Sequence, residues 1–431
     1  MKRYASTLLT ATFTAIAAFA GFNALIDPFG ITGAPDIPGI TVRDTRLLED
    51  GGRVHIADRL ARGGDSSIIL GSSRTVDGFP QTPSDWPGGI ANAGMRGTNM
   101  FELGRAMALA ARSPNLRCVV IGLDMDEFGT HAKAKATYWL SALSDGNREF
   151  SMARVSLSPS TFAASMQLIA DNVTGDTPRV PWADSYESGQ QRSRYESGAR
   201  GIYRYYLGYR FDPDRLLYFE QALDALTANG VQVIGFIHPL HAWREEAMFR
   251  ADRSEDYFAL RQSLTDVFSR YSDRTVTEAC SQEAAALLWD FSGFQPFATQ
   301  PAPGSVQTLA HEYFYEPSHY LPHVGQQMLD RIRGETGENM FNMNQFGVLL
   351  RPDNIDNNTA EIHSRRARWL LSEDGQNATN LLDTLILENP SAELSTPQYL
   401  NRDDWRGLED ALGRIVDAND THRLPNRPET R

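Results

Sequence analysis

The sequence predicts an α/β protein built on a parallel sheet, and two observations carry that expectation. Five short apolar runs, at residues 67–70, 89–92, 117–122, 231–237 and 285–290, have the length and near-continuous hydrophobicity of strands buried on both faces. Segments of helical periodicity lie between them at 99–111, 213–229 and 241–271, and another follows at 324–332. Such alternation suits a parallel sheet covered by helices on both sides.

The first segment stands apart. Lys2 and Arg3 precede an uncharged run, 4–26, rich in Ala, Leu, Thr and Phe. About 20 apolar residues span a bilayer as a helix, and positive charge ahead of the run places the N-terminus in the cytoplasm. Residues 1–27 are therefore expected to be a membrane anchor. The alternative is a cleaved signal peptide, for which Ala18-Phe19-Ala20 is an acceptable site. Both put the body in the periplasm, tied to the inner membrane if the segment stays. Residues 28–50, with their Gly, Pro and Ile, read as an extended tether.

The main domain is expected over 51–335. Between the third and fourth strands the interval is too long for one crossover, so about 130–210 reads as an insertion. It holds a helix candidate at 158–171, with Ser158 as N-cap and Pro159 at the first helical position. An aromatic, polar stretch from Trp182 to Tyr209 follows, fit either to line a site or to be a structural excursion. From 336 to 431 a helical C-terminal extension is expected. Its helical patterns lie at 359–371, 379–388 and 405–417, after a Met/Asn/Phe-rich stretch at 339–344 and a polar turn at 353–358. The end, 418–431, is charge-rich and reads as frayed.

Composition narrows the function. The chain has 431 residues, 41% hydrophobic, and a net charge of −13, which disfavours nucleic acid as a partner because phosphate binding needs a basic footprint. Cys118 lies in a strand-like run as a buried thiol. With Cys280 it makes only two cysteines, which is no disulfide framework. The nine histidines are scattered and no metal-ligand spacing occurs, so no metal or soluble cofactor is expected.

The most informative stretch is Ile68-Ile69-Leu70-Gly71-Ser72-Ser73-Arg74-Thr75, where an apolar run ends in Gly-Ser-Ser. A strand ending this way can deliver a serine nucleophile to a sheet edge. A serine hydroxyl needs a base within hydrogen-bond reach, itself oriented by a third group. His319, late in the chain and just before a helical pattern, is the candidate base, and Glu316, three residues earlier, its orienter. The oxyanion needs N–H donors, for which the amides of Ser73 and Gly97 are candidates, with Asn92 and Asn99 shaping the loop. His238 and His241 follow the fourth strand, at the edge where open α/β sheets bind ligands. Asp290, ending the fifth strand, is a fallback third member. The cluster Tyr203, Tyr205, Tyr206 and Tyr209 suits packing better than stacking on sugar rings.

In this order the residues resemble the SGNH/GDSL hydrolase superfamily, whose four blocks contribute a Ser, a Gly, an Asn and an Asp-x-x-His. Gly71-Ser72-Ser73 stands at the serine block and Asn92-Ala93-Gly94-Met95-Arg96-Gly97 at the glycine block. Gly122-Leu123-Asp124 stands at the asparagine block and Glu316-Pro317-Ser318-His319 at the histidine block. The likeness covers residues 67–332. Closer in layout are membrane-anchored, exported SGNH-like proteins of Gram-negative bacteria that O-acetylate polysaccharides. That closer likeness rests on residues 22–30 at the anchor exit, Leu70-Gly71-Ser72-Ser73-Arg74, Trp289-Asp290-Phe291-Ser292-Gly293 and Tyr315-Glu316-Pro317-Ser318-His319-Tyr320.

The resemblance implies a flavodoxin-like three-layer α/β/α core. It also implies acyl-ester transfer or hydrolysis on an exported glycan, and an integral-membrane acyl donor if the reaction is transfer. Two residues depart from the pattern. Asp124 replaces the Asn and has no proton to donate to an oxyanion; it is expected to pair with Arg74. Glu316 replaces Asp. The alternative from another class is a non-catalytic glycan-binding or scaffold protein of an envelope assembly.

Overall fold

The structure, a computed structural model, describes residues 2–43, 52–80, 86–130, 134–175, 191–276, 278–281, 284–304, 311–334 and 346–388. Trp182, the Met/Asn/Phe-rich stretch and everything expected beyond 388 lie outside the described residues. Helix α1 (Lys2–Ile26) opens the chain. Then come α2 (Gly52–Arg62), β1 (Ser67–Leu70), α3 (Ser73–Gly78), β2 (Ala91–Asn92), α4 (Met100–Ala110) and β3 (Cys118–Leu123). A 3-10 turn (Met125–Phe128) leads into α5 (Ala136–Leu140), α6 (Arg148–Leu157), α7 (Pro159–Thr174) and α8 (Gln191–Leu207). Next are α9 (Pro213–Ala228), β4 (Gln232–Ile237), α10 (Ala242–Arg250), α11 (Ser254–Tyr271) and β5 (Ala286–Asp290). A hairpin of β6 (Phe314–Glu316) and β7 (His319–Tyr320) precedes α12 (Pro322–Arg333), β8 (Val348–Leu350), α13 (Ile355–Leu370) and α14 (Glu373–Glu388).

The main sheet is ordered β2-β1-β3-β4-β5-β8. Its first five strands are parallel, paired in register from Ser67↔Cys118 through Cys118↔Gln232 to Val233↔Ala286. Because successive side chains of a strand point to opposite faces, the apolar runs feed two cores. Ile68, Leu70, Val119, Ile121 and Val233 enter one cluster, and Ile69, Val120, Ile234 and Phe236 the other. Both faces are thus buried, and the uninterrupted hydrophobicity of the runs has its physical reason.

Three expectations change. First, the segment after α1 is a folded corner where an extended tether was expected. Asp27, in the left-handed region at φ 47°, accepts from the amides of Ile31 (2.8 Å), Thr32 (3.1 Å) and Gly33 (3.1 Å), and its carbonyl takes Arg43 Nε at 2.8 Å. Phe29 and Ile31 then bury against Val54 and Val155. Second, β8 joins the main sheet antiparallel to β5, so residues 346–388 are not an appendage beyond 335. Third, the helical pattern over 241–271 is two helices. Asp252 takes φ 58° and breaks it, since a left-handed residue cannot continue a right-handed helix.

Candidate active site

Ser73 is the first residue of α3, immediately beyond the end of β1. Ser72 is extended (φ −86°, ψ −160°), and its carbonyl accepts from Thr75 (3.0 Å) and Val76 (3.1 Å), so the chain turns from strand to helix within two residues. The first amides of a helix lack intrahelical acceptors, and the Ser73 N–H is one of them.

The hydroxyl meets a histidine. Ser73 Oγ lies 2.8 Å from His319 Nε2, and His319 Nδ1 is hydrogen-bonded to Glu316 Oε1. The two-residue turn of the β6–β7 hairpin makes this possible, because it brings residues 316 and 319 opposite one another. Glu316 Oε1 also accepts the Ser318 amide at 3.0 Å. Burial alone pushes the Glu316 carboxyl up; His319 and that amide outweigh it and hold it below its ordinary value of 4.5. The Tyr315 ring stacks on His319, centroids 5.4 Å apart and planes 19° off parallel. With Glu316 ionised, the Nδ1 proton is held toward it and Nε2 is left as the acceptor facing Ser73.

Arg74 and Asp124 are paired, both buried, and the pair is part of a larger clamp. Arg74 Nη2 also reaches Asp126 Oδ2 (3.1 Å), and its Nε donates to the Ser318 carbonyl (3.0 Å). Arg244 donates to Ser318 Oγ (2.8 Å) and to Asp126 Oδ2 (2.5 Å), while Tyr206 donates to Asp126 Oδ1 (2.9 Å). Burial works against ionisation of Asp126, but Arg244 and Arg74 pull its carboxyl down to about 2. Asp124 is held by burial above its ordinary range, with Arg74 opposing. Both its oxygens are engaged, Oδ2 by Arg74 and Oδ1 by the Asp126 amide at 2.9 Å. Asp124 is thus a cornerstone of the clamp and the N-cap of the 3-10 turn.

Asn92 acts beneath α3. Its Nδ2 donates to the carbonyls of Thr75 (3.0 Å), Phe79 (3.1 Å) and Val76 (3.4 Å), and its Oδ1 accepts the Gly94 amide (3.1 Å). The backbone that touches α3 is at Gly94, where a Cβ would stand 2.9 Å from Val76 N. Gly97 sits further along the same loop at φ +57°, its carbonyl taking Arg53 Nη2 at 3.2 Å and its α-carbon facing the Lys135 side chain. Arg96 ties this loop to α3 through Asp77 (2.8 Å to Oδ2), and Tyr315 donates to the same oxygen at 2.9 Å. That oxygen lies 4.0 Å from His319 Nε2.

His238 is fully buried. Its Nδ1 is 3.0 Å from the Tyr320 hydroxyl, and its Nε2, packed over Gly122, has no hydrogen-bond partner. Burial, reinforced by Arg74 and His319, holds its pKa well below 6.5, so it is neutral. His241 caps α10 and contacts the Gln300 carbonyl (2.9 Å). Asp290 lies in a separate corner, paired with Arg261 and accepting the Ser292 amide (2.9 Å). It is not a member of the Ser73–His319 group. Tyr203, Tyr206 and Tyr209 are buried, so the tyrosine cluster packs, as expected for most of it.

Helix α8 reaches the site. A Cβ at Gly198 of α8 would stand 3.1 Å from Pro317 Cδ and 3.4 Å from Glu316 Oε2, and Tyr206 closes the clamp from the same helix. Sequence reasoning missed Asp126, Arg244 and Asp77, and took Tyr206 only as one of a tyrosine cluster. Only Asp77 carried a local signal, four residues after Ser73 and so on the same side of α3.

No family model matches the chain, and no curated protein matches it.

Proposed function

We propose that the protein is a serine-dependent acyl-ester transferase or hydrolase with an SGNH-like, three-layer core, acting on an exported or envelope glycan. The observation that carries this is the hydrogen-bonded row Ser73 Oγ–His319 Nε2 and His319 Nδ1–Glu316 Oε1 at the end of a parallel strand. The order β2-β1-β3-β4-β5 within the sheet is that of flavodoxin-like folds, whose ligands bind at the carboxyl ends of the strands. The glycan and the O-acetyl group rest on the resemblance. The anchor reading rests on α1, which is long and apolar enough to cross a membrane.

In this mechanism Ser73 Oγ adds to the acyl carbonyl carbon while His319 Nε2 takes the hydroxyl proton, and the carbonyl π electrons move to oxygen. The Ser73 amide at the start of α3 stabilises that oxyanion; the Gly97 amide is the second donor by resemblance. Collapse breaks the bond to the leaving alcohol, which receives the proton from Nε2 and leaves acyl-Ser73. A glycan hydroxyl or water then gives its proton to Nε2, attacks the acyl carbon, and Ser73 departs with the proton. Glu316 keeps Nδ1 protonated throughout and faces the imidazolium as it forms.

A second reading has one observation in its favour. Asp124, where the resemblance calls for an oxyanion donor, offers no proton and spends both oxygens on the clamp. That suits a non-catalytic glycan-binding or scaffold protein. Turnover of p-nitrophenyl acetate by the wild type, abolished in Ser73→Ala with folding retained, supports the enzyme. Equal rates in the two proteins would leave the scaffold.

A further inference from the structure

Helix α1 does not end at the membrane boundary as a free stalk. Its last turns are built into the body: Asn23 Nδ2 donates to the carbonyls of Ser156 (2.9 Å) and Ser158 (3.4 Å), at the junction of α6 and α7. Phe22, the residue before Asn23, and Phe19, one turn before it, each pack on Phe162 with ring centroids 5.4 Å apart. With about 20 residues needed to cross the hydrocarbon layer, a span beginning at Tyr4 ends near Asn23. The contacts with α6 and α7 therefore fall at the depth where the bilayer meets water.

Those two helices expose apolar stripes there. On α7, Phe162, Met166 and Val173 recur at helical spacing and are exposed, Val173 by 71%. The helix carries one charged residue, Asp171, in 16. On α6, Phe150 and Leu157 lie two turns apart on its open side, Phe150 exposed by 62%. Val42, also exposed, is joined to α7 by Asn172 Nδ2, which donates to its carbonyl at 2.9 Å. Exposed apolar side chains on two adjacent helices, continuous with a membrane helix, are the pattern of an interfacial surface.

We propose that the exposed apolar faces of α6 and α7 lie in the interfacial zone of the bilayer that α1 crosses, fixing the body on the lipid surface. This rests on α1 remaining as an anchor. The occupant is lipid because the faces continue the surface of α1 and α7 is almost without charge. The Asn23 bonds and the folded corner at Asp27 leave no slack for the body to stand away.

The test uses the full chain in vesicles of phosphatidylcholine and phosphatidylglycerol, in a Cys280→Ser background that leaves only the buried Cys118. A polarity-sensitive fluorophore is placed singly through Phe150→Cys, Met166→Cys and Val173→Cys. Leu9→Cys reports insertion of α1, and Ser364→Cys, exposed on α13, reports a water-facing site. The proposal expects fluorescence at 150, 166 and 173 to fall at least about twofold with a spin label near the lipid headgroup. Position 9 should respond to a label deep in the chains, and position 364 only to iodide in water.

If position 9 is quenched while 150, 166 and 173 respond only to iodide, the anchor stands and the surface contact is overturned. Shielding of the three from both quenchers marks a protein cover, a second copy included, and also overturns it. An unquenched position 9 removes the anchor and the proposal with it.

Discussion

Arg74 donates from Nε to the carbonyl of Ser318 at 3.0 Å, so the residue after the candidate nucleophile grips the residue before the candidate base. Ser73 and His319 are 246 positions apart, on a helix start and a hairpin that share no other covalent frame. The guanidinium spans that gap while its other nitrogens hold Asp124 and Asp126. Arg244 repeats the device from α10, holding Ser318 Oγ and Asp126. The clamp thus sets the distance over which a proton would pass.

Arg74→Met should therefore destabilise more than Asp124→Asn. Removing the cation strands the buried Asp124 and leaves Asp126 to Arg244 and Tyr206, and breaking a buried pair in this way costs about 3–5 kcal/mol. Asparagine at 124 keeps one acceptor oxygen, enough for Arg74 or the Asp126 amide, and leaves no buried charge unpaired, because Arg74 retains Asp126. Urea denaturation of both variants checks this, and the double variant should cost less than the sum because the two residues share one network.

Glu316→Gln should lower kcat by about a thousandfold or more with little change in KM, as losing the group that fixes a catalytic histidine's tautomer does. The amide can present its NH2 to Nδ1 and favour the wrong tautomer. Steady-state kinetics on p-nitrophenyl acetate reads it. A loss confined to KM would mean that Glu316 binds substrate instead.

Asn92→Ala removes the donor for three carbonyls near the end of α3 and should cost about 1–3 kcal/mol. Gly94→Ala presses a methyl to 2.9 Å from Val76 N and should shift α3, lowering kcat. Were Asn92 a substrate contact, its loss would raise KM and leave the denaturation midpoint unchanged.

The buried histidines should contribute a loss of stability on acidification from near pH 6.5, opposed by the Glu245 carboxyl, which burial pushes up to about 7 so that the folded chain takes up that proton first. Burial keeps His238 and His241 neutral well below that value and pushes His311 down to about 4. The unfolded chain takes up these protons first, so the stabilisation is full above about 6.5 and is lost as pH drops toward each folded value. Asp126, pulled from 3.8 down to about 2, acts in the same direction at lower pH. Its share is present above 3.8 and lost through about 2; with 27% of the side chain exposed, it is on the order of 1–2 kcal/mol. The difference in denaturation midpoint between the wild type and His311→Gln, followed from pH 8 to 4, tests the histidine share; a difference constant across that range contradicts it.

The parallel strands were legible because a strand buried on both faces is a continuous apolar run. Residues 67–70 were expected as a strand and are one. β8 was not legible, since Val348, Leu349 and Leu350 are three residues whose pairing with β5 is set by tertiary packing. The corner at Asp27 was read as a tether because Gly and Pro mark turns and extended chain alike; the carboxylate's three amide partners decide between them. Ser73, Glu316 and His319 carried local marks, an apolar run ending in Gly-Ser-Ser and a carboxylate three residues before a histidine. Asp126 and Arg244 come from distant segments with no such mark, Tyr206 carries only that of a tyrosine cluster, and only the fold assembles them.

Activation of Ser73 by His319 is directly testable. The direct measurement is labelling of the folded full chain by a fluorophosphonate, with the modified peptide identified by mass spectrometry. A single adduct on Ser73 is expected in the wild type, absent from Ser73→Ala and strongly reduced in His319→Ala. A well-folded wild type that takes no label, and turns over no small acetyl ester, would contradict it.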